Sequence, residues 1–198
     1  MTVALDSPDE GQAVRECCRV APGDVRRRIT LLSSEDAVAL YQALSDAGVR
    51  CWVVGGWGVD ALLGRQSRPH KDLDVLVLRR ELPQLDHVLS EHGFARTLLW
   101  PNENRWVTGD GVSYPTAFVM TDALGRELDI HVVDLGADGV PKPLWRTSRR
   151  FEAQFLESHG CIAGAPVACM SREGQLAMHT GYDLPASHQA DVKLLQSD

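Results

Sequence analysis

The chain has 198 residues, 44% of them hydrophobic and 24% charged, which suits one well-buried soluble domain with small appendages and excludes a fibrous or disorder-dominated protein. A formal net charge of −7 argues against nucleic acid as the main partner, because phosphate-backbone binding rests on clustered Lys and Arg, and favours a small cationic molecule. Five cysteines, odd in number and without a CxxC pair, read as reduced thiols of a cytoplasmic protein, and no apolar run approaches the roughly 20 residues that span a bilayer, so no membrane is expected.

Residues 1–31 hold Pro8, Gly11, Pro22 and Gly23 without a hydrophobic period, and are expected to be an extension or a poorly ordered arm, with Arg26, Arg27 and Arg28 as a solvated charge cluster. Residues 32–198 are expected to form the single folded domain. Ser33 and Asp36 resemble a capping box, and Val38, Tyr41 and Leu44 recur at helical spacing until Gly48 stops a first helix. Cys51 to Val54 is a short, fully apolar strand. Gly55 and Gly56 follow it, where missing side chains and free N–H groups let a phosphate approach the backbone. Trp57 to Leu63 predicts a two-turn helix ended by Gly64, and Asp60 within it is read as serving the helix dipole or orienting a nearby loop. Arg65, Arg68, His70 and Lys71 then precede the strand Asp72 to Leu78. Asp72 and Asp74 are one residue apart and therefore project from the same face of that strand. Like charges held so close repel unless a cation sits between them, and Mg²⁺ is usually held by one or two carboxylates together with substrate phosphates. The cations before the strand are suited to the phosphates of a nucleotide and its departing pyrophosphate.

Leu82, Leu85, Val88 and Leu89 mark an amphipathic helix ended by Gly93. Four strand-like stretches follow, Phe94–Trp100, Trp106–Thr108, Tyr114–Thr121 and Arg126–Val133, and read as an antiparallel meander separated by turn signals. In the last of these Glu127, Asp129 and His131 share one face, a costly row on an inner strand unless it is used. Residues 134–150 are expected to be a functional or mobile loop, with Leu144 and Trp145 as apolar surface. Cys161 to Met170 reads as a hairpin turning at Ala163-Gly164-Ala165-Pro166. Ser171 caps a helix reaching Thr180, Gly181 ends it, and a last helix covers Ala186 to Leu195.

The run GGWGVDALLGRQSRPHKDLDV resembles the nucleotidyltransferases that share the polymerase-β-like core, and most closely the lincosamide nucleotidyltransferases, with aminoglycoside 2''-nucleotidyltransferases as more distant relatives. The C-terminal run CMSREGQLAMHTGYDLPASHQADVKLL resembles the same enzymes. Trp57 stands where the superfamily often has Ser. The resemblance implies an α/β fold with a mixed sheet, helices packed mainly on one side and a small C-terminal helical segment. It implies a Mg²⁺-dependent enzyme that moves a nucleoside monophosphate, AMP from ATP, to a hydroxyl of a small cationic antibiotic. Asp72, Asp74 and Asp129 would bind the metal, and Asp129 is either a ligand or the base that takes the hydroxyl proton, with Glu127 as second choice. Gly55, Gly56, Trp57, Arg68, His70 and Lys71 would bind the nucleotide, and a homodimer or the 134–150 loop would complete the acceptor site. Two other readings compete with a lincosamide acceptor: an aminoglycoside or other amine-bearing metabolite, and a non-catalytic nucleotide-binding module. The presence of all three aspartates argues against the last.

Overall fold

The computed structural model describes residues 30–97, 105–107, 111, 113–137, 139–144, 151–180 and 183–197. Of the arm expected at 1–31, residues 1–29 lie outside them, and with them Cys17, Cys18 and the arginine run. So do Trp145, Gly181, Tyr182 and the end of the strand expected to reach Trp100.

The first helix, α1 (Ser34–Asp46), starts where Ser33 Oγ accepts the Asp36 N–H at 3.1 Å, the cap that the spacing predicts. β1 (Cys51–Val54) runs directly into α2 (Gly55–Leu63). The glycine pair is therefore the opening turn of the helix rather than a turn ahead of it. β2 (Asp72–Leu78) and α3 (Leu82–Glu91) follow as expected, then β3 (Ala95–Thr97), β4 (Arg105–Val107), β5 (Ser113–Pro115), β6 (Ala117–Thr121) and β7 (Glu127–Leu135). The stretch read as one strand from Tyr114 to Thr121 is two. Among the described residues β5 pairs with β4 in a separate ribbon, while β6 joins the main sheet. The region read as loop contains β8 (Pro141–Pro143), which pairs with the far half of β7. Two prolines hide such a strand from any propensity argument and confine it to an edge. β9 (Ser158–Ile162) and β10 (Ala165–Cys169) form the expected hairpin, and its two-residue turn, Ala163-Gly164, has positive φ at both positions. α4 (Arg172–Met178) begins at the Ser171 cap and α5 (Ala186–Ser197) ends the described chain.

The main sheet is mixed. Its order is β3-β6-β7-β2-β1-β10-β9, with β2 parallel to β7, β1 parallel to β10 and the remaining neighbours antiparallel. One face of the central strands offers Leu73, Val75, Val77, Leu128, Ile130 and Val132, all fully buried in one core with Leu40 and Leu44 of α1 and Leu85 and Leu89 of α3. Each such side chain contributes roughly 1.5–3 kcal/mol. The opposite face is divided along its length. Toward the C-terminal ends of β2 and β7 it is apolar, with Leu76, Leu78 and Val133 packed on Phe155, Leu156 and Met170; toward their N-terminal ends it is acidic. Cys51, Cys161 and Cys169 are free thiols, and burial pushes the Cys51 thiol up to about 12 and that of Cys169 up to about 11. No helix among the described residues is long and apolar enough to cross a membrane.

Candidate active site

The parallel pairing of β2 with β7 sets Asp72 opposite Glu127, Asp74 opposite Asp129 and Leu76 opposite His131. Two rungs of paired carboxylates thus stand on one face, although nearly fifty residues of chain, 79–126, separate the strands. One ligand atom each from Asp74, Asp129 and His131 lie within 4.8 Å of one another. Asp129 Oδ1 is buried without a hydrogen-bond partner, and His131 Nε2 lies 3.7 Å from it, beyond hydrogen-bond reach. Burial, with the charges of Asp72 and Asp129 added, holds the Asp74 carboxyl well above the ordinary range. Burial also raises the Asp129 carboxyl, where His131 opposes it and Asp72 reinforces it. An orphaned carboxylate oxygen within a crowded oxygen-rich cluster fits a divalent cation.

Asp74 is also the cross-strand neighbour of Val54, so α2 opens directly beside it. Gly55 has φ +59°, and a Cβ there would run into Asp74 Oδ2. A Cβ on Gly56 would run into His70 Nδ1 and come within 2.6 Å of an Arg68 nitrogen. The missing side chains thus leave room for the site's own groups. The loop at 65–71 is clamped by Asp60, whose buried carboxylate accepts from Ser67 N at 3.0 Å and Ser67 Oγ at 2.5 Å and meets His70 Nε2 at 2.5 Å. Of the two tasks expected of Asp60, it performs the orienting one. The His70 ring is buried, with its centroid 4.4 Å from a ring centroid of Trp57, and the Trp57 side chain lies wholly in the core. The His70 carbonyl also accepts from Leu32 N at 2.9 Å.

Lys71 Nζ lies 2.6 Å from Glu127 Oε2 and 3.7 Å from Asp72 Oδ2, on the outer carboxylate rung. Burial works against its charge, but the Glu127 hydrogen bond and the charges of Asp72 and Asp129 outweigh it and raise its pKa. Arg68 is held by Asp191 of α5, through Nε at 3.0 Å and Nη2 at 2.7 Å. Arg65 stands apart from these, exposed beside Cys161 and Ile162. The sequence reading had no place for Asp191, nor for His188, whose ring stands edge-on to that of His179 at 5.0 Å. One signal for Asp191 existed: it lies four residues before Leu195, so an acid occupies the buried stripe of a helix.

Other proteins resemble this chain in sequence and fold. The profile of a family described as aminoglycoside-2''-adenylyltransferase matches residues 36–195. A lincosamide resistance protein of Staphylococcus haemolyticus is 28% identical over 152 residues, 75% of this chain and 85% of its own. The lincomycin-bound crystal structure of the lincosamide antibiotic adenylyltransferase LnuA aligns with a TM-score of 0.69 at 25% identity, over 85% of this chain and 99% of that one. The solution structure of the antibiotic-resistance factor ANT(2'')-Ia shares the fold, with a TM-score of 0.60 at 21% identity over 80% of each chain. The matched segment starts within α1 and ends in the last turns of α5, enclosing both carboxylate strands and the glycine turn, and the chain belongs to the aminoglycoside-2''-adenylyltransferase family of nucleotidyltransferases.

Proposed function

We propose that the protein transfers AMP from ATP to a sugar hydroxyl of a lincosamide antibiotic, with Mg²⁺ held by Asp72, Asp74 and Asp129. The observation that supports this reading is the register of β2 on β7, which sets Asp74 opposite Asp129, with Asp72 one rung away on the same face, beside the positive-φ turn at Gly55. A divalent cation there supplies neutralisation of the charge that develops on the transferring phosphoryl group. The chain's own groups do the rest. Free N–H groups at the start of α2, from Gly55 to Trp57, face incoming phosphate. Lys71 and Arg68 supply charge at its flank, and His70, buried under Asp60, keeps their loop in place. Asp129 takes the hydroxyl proton or ligates the cation, and Glu127, tied to Lys71, is the second choice for the proton.

The acceptor follows from charge and from likeness. With Lys71 and one divalent cation set against Asp72, Asp74, Glu127 and Asp129, roughly one negative charge remains on this face, which matches the single amine of a lincosamide better than a polycation. The 28% identity to a lincosamide resistance protein supports the same choice, while the family description favours an aminoglycoside as the second reading. The reading puts the protein in the cytoplasm, with its ATP. Either a second copy or the 134–150 loop closes the acceptor side. Lincomycin, clindamycin, kanamycin and tobramycin incubated with ATP and Mg²⁺ and weighed by mass spectrometry test the proposal. Lincomycin and clindamycin should each gain one AMP. Modified tobramycin beside unmodified lincomycin overturns the acceptor, and four unmodified drugs overturn the transfer.

A further inference from the structure

α5 is docked in an unusual way. Of its twelve residues only Asp191 and Leu195 are buried, and Asp191, at 1% exposure, is a charged group placed where an apolar one would dock the helix more cheaply. Both of its oxygens are taken by Arg68, one by Nε at 3.0 Å and the other by Nη2 at 2.7 Å, the two-pronged geometry that fixes the plane of a guanidinium. A buried ion pair of this kind is often replaceable by apolar residues with no loss of stability, so docking alone does not account for it.

What the pair achieves lies at its other end. The fork leaves Nη1 with only a 3.4 Å approach to the Pro69 carbonyl, and the Arg68 side chain keeps 27% of its surface exposed. Arg68 Nη2 lies against the first turn of α2, within 2.6 Å of where a Gly56 Cβ would stand, and the Arg68 charge acts on the Asp74 carboxyl, opposing the effect of burial there. The guanidinium is thus held in a fixed plane against the first turn of α2, with part of its side chain still exposed.

We infer that Asp191 is a positioning residue for the nucleotide: by gripping Arg68 from α5 it aims the guanidinium at a phosphate of the bound nucleoside triphosphate. The C-terminal helix is therefore part of the nucleotide site although it touches no phosphate itself. This inference rests on the nucleotidyl-transfer reading above, and it concerns the donor and not the acceptor.

The test measures binding of a non-hydrolysable ATP analogue with Mg²⁺ to the full-length protein by calorimetry, with no antibiotic present, together with the melting temperature of each variant. Asp191→Asn, which keeps the shape and removes the charge, should weaken nucleotide binding by roughly ten- to a hundredfold, the usual effect of losing a charge-assisted hydrogen bond. Arg68→Ala should weaken it as much, and Asp191→Asn combined with Arg68→Ala should be no weaker than Arg68→Ala alone, because Asp191 acts only through Arg68. The apolar pair Arg68→Met with Asp191→Leu should melt within a few degrees of wild type and still bind nucleotide as poorly as Arg68→Ala. Wild-type affinity in Asp191→Asn or in the apolar pair makes the contact a strut and overturns the inference, as does an additive loss in the combined variant. Should Asp191→Asn fail to fold, Asp191→Ser, smaller and uncharged, takes its place in the same comparison with Arg68→Ala and the combined variant. A wild-type protein that binds no adenine nucleotide overturns the donor assignment and this inference together, whereas unmodified lincomycin leaves the inference standing on its own binding data.

Discussion

Asp74→Asn should make the metal-free protein more stable while making it inactive. The Asp74 carboxyl is held well above the ordinary aspartate value near 3.9 by burial and by the charges of Asp72 and Asp129. A carboxyl raised in the folded state binds its proton more tightly there than in the unfolded chain. The resulting penalty is absent below about pH 4, grows as pH rises toward the raised value, and stays constant above it. Its size follows from geometry. Ligand atoms of Asp74 and Asp129 lie within 4.8 Å, and two unit charges at that separation repel by roughly 3 kcal/mol at an effective dielectric constant near 20. Arg68 and Lys71 oppose it, which leaves about 1–2 kcal/mol, or roughly 2–8 °C in melting temperature for a chain of this size. The assay is a melting curve at pH 8 in EDTA and again in millimolar MgCl₂. Wild type should gain on adding metal, by about 2.7 kcal/mol at a hundredfold excess over Kd, and Asp74→Asn should start higher and gain little. In EDTA the wild-type melting temperature should fall between pH 5 and 8 more steeply than that of the variant. A variant that melts at or below wild type in EDTA, or that keeps the full magnesium shift, refutes the electrostatic account of the cluster.

Two further outcomes separate the parts of the site. Gly55→Ala combines a positive φ with a collision at Asp74 Oδ2, and should cost about 2–3 kcal/mol and most of the turnover, read by melting and by product formation; a stable, active variant would show that the turn has slack. Asp129→Ala should lose kcat with nucleotide affinity mostly kept, while Glu127→Ala retains most of its activity. The reverse pair of results in a steady-state assay assigns the chemistry to Glu127.

Local chemistry made much of this legible in the sequence. Ser33 and Ser171 cap the helices they were expected to cap, and the alternation of Asp72, Leu73, Asp74 and Val75 announces a strand with an acidic and a buried face. The identical alternation around Asp129 marked the partner strand. What the sequence could not show was the pairing itself, since a parallel ladder between β2 and β7 is closed across a long excursion and leaves no local trace. β8 was missed because Pro141 and Pro143 argue against a strand everywhere except at an edge. The sequence assigns Arg68 and His70 to the nucleotide as loop cations, without showing that one is gripped by a helix more than a hundred residues later and the other is buried under Asp60. Such long-range partners are tertiary facts, and only the odd placement of Asp191 on the buried stripe of α5 hinted at one.

The alternation on β2 and β7 also guards against misassembly. A slip of one residue in either strand would turn its acids toward Leu128, Ile130 and the leucines of α1 and α3, and would bring Leu73 or Leu128 out into water. Unpaired carboxylates in that apolar layer are heavily penalised, and every slipped alternative also forfeits several fully buried side chains. The steps that reject a wrong register during folding are therefore the same ones that align the aspartates. A folded but miswired population is selected against by the hydrophobic layer alone, without any contribution from substrate or metal. Lengthening or trimming the hairpins between the two strands leaves this check untouched, so that part of the chain is free to vary while the carboxylates keep their places.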